Sequence, residues 1–335
     1  MHYPLIDFYR YFSALIVCIS HFILYWNKSV QVEFVSIIGI ELFFVLSGFV
    51  LASQILRLEI NPKRYFKTFL YRRWIRTIPP YVIALVCAAI LFEYGDFFNL
   101  LKFFTYTQNI LTDNSSPNFF PVAWSLSVEE WFYIYLPFLI LFFAIVKPMQ
   151  FRPSVLSICI TTILLLNLFR FFYNGETINW SEDIRRSVLL RIDSLCFGVV
   201  AYIFKDKIGG KLLIFSILVT IILLTYFLHE PSLLLGSTFA QNIFFPLCSI
   251  CFSSILILFT YARSLPAFLI KIGNFGANIS YSMYLSHIFF INLTMNLFNN
   301  LILALPIYFF ILTIFCWIFF NYFEKPLLES RPKYT

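Results

Sequence analysis

The chain has 335 residues, of which 60% are hydrophobic and only 12% are charged. Soluble domains carry about twice that charged share, so the composition excludes an ordinary soluble protein and indicates a polytopic membrane protein. The formal net charge of +7 would suit a nucleic-acid binder, but the basic residues fall mainly in short segments between apolar runs. Membrane topology explains that distribution better, and no nucleic-acid partner is expected.

Ten apolar runs of about 17 to 25 residues are each long enough to cross a bilayer as a helix. In chain order they cover 5–26, 32–56, 78–93, 124–146, 154–173, 188–204, 212–228, 243–261, 277–295 and 304–323. No linker rich in Pro, Gly or Ser separates them. The prediction is therefore an all-α, polytopic integral membrane protein with a single transmembrane domain over residues 1–335.

The basic residues orient these spans. With the N-terminus in the cytoplasm, the inner segments hold 17 of the 24 Lys and Arg residues and the outer segments hold 4. The inner segments are the loops 57–77, 147–153, 205–211 and 262–276 and the C-terminal tail. The positive-inside bias then predicts that both termini are cytoplasmic. The remaining three, Arg10, Arg170 and Arg191, lie within or at the ends of spans and need another explanation. All seven cysteines lie in apolar runs, which predicts no metal site.

The first span contains two polar residues at a helical spacing. The stretch "DFYRYFSALIVCISHF" places Arg10 and His21 eleven residues apart, which is about 16 Å and nearly three full turns. Their side chains therefore share one face at opposite depths. Arg10 either extends to the interface and pairs with Asp7 or binds a ligand. His21 either packs as a hydrogen-bonded residue or, as a neutral imidazole, accepts a proton from a hydroxyl.

Ionisable residues in the outer halves of other spans extend this polar set. They are Glu41 in the second span, Glu129 and Glu130 in the fourth, and Arg191 and Asp193 at the sixth. Charges within a membrane are costly unless they pair or face water, which makes a functional role the default hypothesis. A structural ion pair is favoured only for Arg191 with Asp193. His287 in the ninth span is expected to be a buried packing residue unless it lines the same cavity as His21.

The stretch "YRRWIRTIPPY" places three arginines before the third span. Arg73 and Arg76 are three residues apart and thus on one side of a helical turn, with Arg72 adjacent. Guanidinium groups bind phosphates bidentately, so a ligand with several phosphates could bind there from the cytosol. On composition alone, charge that sets topology or contacts anionic membrane lipids is the favoured explanation.

Five motifs, in this order, resemble the acyltransferase-3 family of integral membrane acyltransferases over nearly the whole chain. "IDFYRYFSALIVCISHF" resembles its Arg-x10-His first helix, and "GIELFFVLSGFVLA" resembles its second helix. "YRRWIRTIPPY" is similar to its Arg-x-x-Arg segment. "AWSLSVEEWFY" and "ISYSMYLSH" resemble two later segments of the family, although Ser286 stands where many relatives have Trp.

The resemblance implies transfer of an acyl group, expected to be acetyl, from cytosolic acyl-CoA. The implied acceptor is a hydroxyl of an extracytoplasmic or lipid-linked glycan, and the implied location is a bacterial cytoplasmic membrane. The resemblance also implicates His21 in transfer, and Arg10, Arg73 and Arg76 in handling acyl-CoA. The chain is expected to be the stand-alone form, without a fused esterase-like domain.

A mechanism follows from these residues as a hypothesis. The phosphates of acyl-CoA bind at Arg72, Arg73 and Arg76, and its pantetheine arm passes Arg10. His21 removes the proton of the acceptor hydroxyl, or becomes acylated itself before transfer. Glu41 or Glu129 orients the imidazole or compensates its charge.

Hydroxyl groups are expected to complete the site. Ser47 or Tyr133 could donate a hydrogen bond to the oxyanion. Substrate or structural support of the site is expected from Glu130, Arg191, Asp193 and His287. Gly48 is expected to let two helices approach closely.

The alternative function is a transporter or flippase of a glycan or lipid-linked substrate, which would also have many spans and a polar cavity. That alternative predicts movement without chemistry.

Overall fold

The computed structural model of the chain describes residues 3–92, 94–111, 119–147, 149–173, 180–262, 265–298 and 300–334. This described part is all-α, with helices joined by turns and short irregular segments. Its α-helices are α1 (Pro4–Trp26), α2 (Val30–Ile60), α3 (Pro62–Leu91), α4 (Phe97–Phe104), α5 (Ala123–Val146), α6 (Val155–Tyr173), α7 (Ile192–Phe204), α8 (Gly210–His229), α9 (Pro231–Gly236), α10 (Thr238–Thr260), α11 (Ala267–Leu297), α12 (Leu301–Phe319) and α13 (Lys325–Glu329). Single π-helical turns cover Trp180–Arg185 and Phe320–Glu324.

The prediction of an all-α polytopic membrane protein is confirmed. Each of the ten predicted runs coincides with a helix, and eight helices of the described part are long and apolar enough to span a bilayer. The two remaining runs fall on α7, an apolar helix of 13 residues, and on α11, a helix of 31 residues with polar positions such as Asn278 and Ser282. The orientation of the termini and the single domain over 1–335 stay predictions.

Helix α3 is longer than the third predicted run. Residues 57–77 were expected to be an inner loop, but α3 already begins at Pro62. Proline suits the first position of a helix because its missing N–H has no partner there anyway. The following Lys, Arg and Leu residues favour helix. The three arginines of the "YRRWIRTIPPY" stretch therefore lie within a helix and not in a loop.

The chain forms two compact units. The first comprises Met1–Phe43, Trp74–Tyr94 and Phe259–Arg331, and the second comprises Phe44–Arg73, Gly95–Leu258 and Pro332–Thr335. In the first unit, α1 packs along α11, and α11 packs along α12. One cluster of buried residues joins these three helices: Ala14, Cys18, Phe22, Ile279, Met283, Ile291, Ala304, Tyr308, Leu312 and Cys316.

Glycine allows the close approach of α11 to α1. A Cβ atom at Gly276 would lie 2.0 Å from Cγ and 2.5 Å from Cβ of Tyr11, so a larger residue would have to displace the Tyr11 side chain. Small residues at membrane helix interfaces permit such close packing. This packing sets the distance between the polar residues that α1 and α11 carry.

In the second unit, α2 and α7 cross at two glycines. A Cβ at Gly48 would lie 1.9 Å from the Leu195 carbonyl oxygen, and one at Gly198 would lie 2.0 Å from the Val45 carbonyl oxygen. Both neighbours are backbone atoms, which cannot rotate away as a side chain can. The structure thus supports the expectation that Gly48 serves close helix packing.

Gly48→Ala is expected to destabilise the protein, because the added methyl group meets a carbonyl oxygen of α7. Overpacking of this kind typically costs about 1–3 kcal/mol. The thermal unfolding temperature of the detergent-purified variant should be lower than that of the wild type. Gly209→Ala is the matched control, because nothing lies within 4 Å of its Cβ position. Equal unfolding temperatures for Gly48→Ala and the wild type would contradict the prediction.

Candidate active site

The packing of α1 on α11 brings two histidines together in the first unit. Nδ1 of His21 lies 2.8 Å from Nε2 of His287, and the two ring planes are nearly parallel, at 19°, with their centroids 5.1 Å apart. His287 is fully buried, whereas His21 is half-buried. His287 therefore shares the site of His21, which is the condition under which the sequence indicated more than a packing role.

The hydrogen bonds of His287 determine which nitrogens carry protons. Nδ1 of His287 lies 2.7 Å from the Tyr284 carbonyl oxygen, which can only accept, so this nitrogen carries the proton. Nε2 of the neutral ring then accepts a hydrogen bond from the Nδ1–H of His21. The remaining nitrogen of a neutral His21, Nε2, then carries a lone pair and acts as a hydrogen-bond acceptor. This assignment leaves His21 ready to accept a proton.

Ser36 occupies the position next to that lone pair. Its Oγ lies 2.8 Å from Nε2 of His21, and its side chain is buried at the start of α2. With the tautomers assigned above, the serine hydroxyl donates to the imidazole. Sequence reasoning missed Ser36, since a single serine in an apolar helix carries no motif. The only signal in the sequence was that His21 lies near the end of the first predicted span and Ser36 near the start of the second, which places them at a similar depth in the membrane.

The other predicted residues of the first unit lie in different surroundings. Arg10 is 3.9 Å from Asp7 one turn earlier on α1, and both side chains are partly exposed. Because α1 is one continuous helix, Arg10 and His21 share a face as predicted. Glu41 is fully buried on α2. Nδ1 of His21 is engaged by His287, and the role of Glu41 or Glu129 in orienting the imidazole or compensating its charge stays a prediction.

In the second unit, the Glu129 carboxylate accepts hydrogen bonds from two hydroxyl groups. Ser47 Oγ donates to its Oε1 at 2.6 Å, and the Tyr133 hydroxyl donates to its Oε2 at 3.0 Å. Both hydroxyls were expected to donate to an oxyanion of the substrate. In the structure they donate to the Glu129 carboxylate, which they hold in one orientation. Glu130, the next residue of α5, is buried.

Arg73 of the second unit is held by a glutamine. Its Nη2 donates to Oε1 of Gln54 at 3.0 Å, and the Tyr334 hydroxyl donates to the same oxygen at 3.0 Å. The guanidinium groups of Arg57 and Arg72 each lie 5.1 Å from the centre of the Tyr334 ring. Burial raises the pKa of Tyr334, with the three arginine charges acting in the opposite direction. The phenol therefore stays a neutral donor at physiological pH.

The arginine set does not share one environment. Arg72 also donates to the Pro332 carbonyl oxygen in the C-terminal tail. Arg76 belongs to the first unit, where its charge acts on Glu324, the residue that accepts a hydrogen bond from Ser282. The contacts of Arg72 with the tail were not predicted, because the tail follows the last predicted span and its partners are far away in sequence.

The expected pairing of Arg191 with Asp193 is replaced by another. Both carboxylate oxygens of Asp193 accept hydrogen bonds from Arg170, at 3.0 and 2.5 Å, and both side chains are fully buried. Asn167 donates a further bond to Asp193. Arg191 instead lies over the Phe245 ring, 3.4 Å from its centre, and donates to Ser194. Arg170 also donates a hydrogen bond to the carbonyl oxygen of Leu190, three residues before Asp193.

Comparison with known proteins adds a family match. The Acyl_transf_3 family model, an acyltransferase domain, matches residues 3–321. The chain is also 32% identical over 165 residues to the peptidoglycan O-acetyltransferase OatA of Listeria monocytogenes serovar 1/2a. That similarity covers 43% of this chain and 25% of the relative. No solved structure matches the chain.

Proposed function

The chain belongs to the acyltransferase-3 family, and on that premise we propose that it is a membrane O-acyltransferase. It moves an acetyl group from cytosolic acetyl-CoA to a hydroxyl of an extracytoplasmic or lipid-linked glycan. The similarity to a peptidoglycan O-acetyltransferase supports both the acetyl group and an envelope glycan as the acceptor. The proposed location is the cytoplasmic membrane of a bacterium.

The observation that carries this proposal is the pair of hydrogen bonds on His21. Nδ1 is engaged by His287, and Nε2 faces a hydroxyl group at 2.8 Å. A general base needs an unprotonated nitrogen within about 2.6–3.2 Å of the proton that it removes. The arrangement of hydrogen bonds on His21 meets this requirement.

His287 also accommodates the charge that proton transfer creates. When His21 accepts a proton at Nε2, its ring becomes a cation whose Nδ1–H already donates to the lone pair of His287. His287 is itself held by the Tyr284 carbonyl, so the acceptor does not have to reorient. Hydrogen bonds strengthen in a low-dielectric interior. The pair therefore lowers the cost of forming the imidazolium ion.

The arginines supply the cationic groups that an acyl-CoA donor requires. We assign binding of its phosphate groups to Arg72, Arg73 and Arg76, and contact with its pantetheine arm to Arg10. For Arg10, Arg73 and Arg76 this follows the family resemblance. Arginine binds phosphate through two parallel N–H groups, and Gln54 already fixes the plane of Arg73. A role of Glu129, Ser47 and Tyr133 in acyl transfer stays a prediction from the sequence.

The test is transfer of labelled acetyl from acetyl-CoA to extracted envelope glycans by membranes that contain the protein. Label on the glycan that base treatment releases as acetate would support O-acetylation. The same protein in liposomes is assayed for glycan movement. Movement of glycan without hydrolysis or transfer of any acyl-CoA would contradict the enzyme proposal and favour the transporter.

Arg73→Lys is expected to raise the KM for acetyl-CoA about tenfold, because lysine retains the charge but loses the bidentate geometry. Hydrogen bonds to charged groups contribute about 1.5–3 kcal/mol, and a tenfold change corresponds to about 1.4 kcal/mol. Steady-state kinetics with varied acetyl-CoA provide the measurement. Arg64→Lys is the matched control, because Arg64 is exposed near the start of the same helix. An unchanged KM in Arg73→Lys would remove this arginine from the donor site.

A further inference from the structure

Ser36 stands out because its hydroxyl is directed at a base. Its Oγ lies 2.8 Å from Nε2 of His21, and it is only 3% exposed. Other buried serines nearby use their hydroxyls differently. Ser13 and Ser20 of α1 donate to carbonyl oxygens of their own helix, and so does Ser286 of α11. Those three hydroxyls serve the local backbone, with Ser286 Oγ also 3.6 Å from Cys316 Sγ, whereas the hydroxyl of Ser36 reaches an imidazole base on another helix.

The contacts form a directed chain of three side chains and one carbonyl. The Ser36 O–H donates to His21, the His21 Nδ1–H donates to His287, and the His287 Nδ1–H donates to the Tyr284 carbonyl oxygen. A nucleophile within hydrogen-bond reach of a base, with the base oriented by a third group, is the general arrangement for an activated hydroxyl. His287 takes the orienting position that a carboxylate holds in many such sites.

We propose that Ser36 is the nucleophile that carries the acyl group between donor and acceptor. This inference rests on the proposed function, and it names the residue through which that transfer passes. The sequence-based hypothesis left direct transfer and an acylated His21 open. The geometry favours Ser36 because an acyl-histidine would need the same Nε2 lone pair that the serine hydroxyl already occupies.

The reaction then has two balanced halves. In the first, Ser36 Oγ attacks the thioester carbonyl carbon while its proton passes to Nε2 of His21. The C–S bond breaks, the sulfur takes that proton, and CoA leaves as the free thiol, with an ester on Ser36. In the second, His21 accepts the proton of the glycan hydroxyl, which attacks the ester. The Ser36 oxygen leaves and recovers the proton, so the products are the acylated glycan and free Ser36.

Acid-quenched labelling tests this step on the purified full chain. The protein is mixed with labelled acetyl-CoA without glycan, quenched, digested and analysed by mass spectrometry. Wild type is expected to carry one acetyl group on the peptide that contains Ser36. Ser36→Ala should carry none there and should lose about 10²–10⁴-fold in transfer to glycan. Ser20→Ala, also a buried serine of the same unit, should behave as the wild type in both assays.

Ser36→Cys provides a second measurement that does not depend on loss of activity. Its acetylated form would be a thioester, which neutral hydroxylamine cleaves, whereas the serine ester of the wild type resists this treatment. The unfolding temperature of every variant is measured to test whether it is folded. A burst of CoA release from Ser36→Ala equal to that of the wild type would overturn the proposal, because the acyl group would then be held by another residue.

Two further outcomes separate this proposal from the proposed function. Full glycan transfer by Ser36→Ala, or an inactive Ser36→Ala together with an unlabelled wild type that still acetylates glycan, would overturn the serine step alone. In the second case the hydroxyl would only position His21. A wild type that neither transfers acetyl nor hydrolyses any acyl-CoA would overturn the proposed function and the serine step together.

Discussion

His21→Ala is expected to reduce acetyl transfer to glycan by about 10²–10⁴-fold, the usual contribution of a general base. The loss should fall on kcat, with the KM for acetyl-CoA nearly unchanged, because the imidazole acts on a proton that moves in the transition state. Initial rates with membranes that contain equal amounts of folded protein provide the measurement. His21 is half-buried on α1 and contacts His287 of α11, so its replacement could also affect folding. The unfolding temperature of each variant is therefore measured together with its kinetics.

Ser20→Ala is the control for this variant. Ser20 precedes His21 on α1, is buried, and donates only to the carbonyl oxygens of Ile16 and Val17. Its replacement removes a polar group at the same depth without touching the histidine pair. Equal rates for His21→Ala and the wild type would show that His21 is a packing residue, and the general-base mechanism would then be wrong.

Asp193→Leu is expected to destabilise the second unit by about 3–5 kcal/mol, the largest effect on stability predicted here. The substitution leaves the Arg170 guanidinium fully buried without its carboxylate, and an uncompensated buried charge is expensive. Unfolding by heat or denaturant in detergent provides the measurement. The paired variant Arg170→Met with Asp193→Leu is expected to recover most of the loss, because it removes both charges together.

Asp206→Asn is the matched control for a carboxylate in an ion pair. Asp206 pairs with Lys205 at 2.8 Å but is 77% exposed, so the change should cost less than about 1 kcal/mol. A double-mutant cycle over Arg170 and Asp193 then measures their coupling. Stability of Asp193→Leu equal to that of the wild type would show that the pair contributes nothing, despite its burial.

The helices and their order are properties of the sequence. An apolar run of sufficient length must satisfy its backbone within itself inside a membrane, so hydropathy and length alone predict a helix. All ten predicted runs are helical for this reason. The start of α3 differs most from its prediction, because the charged residues after Pro62 suggested a loop while their helix propensity favoured a longer helix. Helix α11 likewise begins at Ala267, ten residues before its predicted run.

Spacing within one helix was equally predictable. Arg10 and His21 share a face of α1 because eleven residues make nearly three turns, whatever surrounds the helix. The arginines of α3 likewise follow from their spacing. The motifs that carry these residues also indicated the family, since each motif lies within one helix and is read without knowing its neighbours.

Only the tertiary structure decided which side chains meet. His21 and His287 are separated by 266 residues, and Gln54 and Tyr334 by 280, so no local pattern connects them. Asp193 contacts Arg170 and not Arg191, although both arginines lie near the ends of spans. The packing of α1 on α11 brings the two histidines within hydrogen-bond distance, and packing depends on shape along two whole helices. A sequence can therefore identify a buried polar residue, but the residue that it contacts depends on how closely the helices approach.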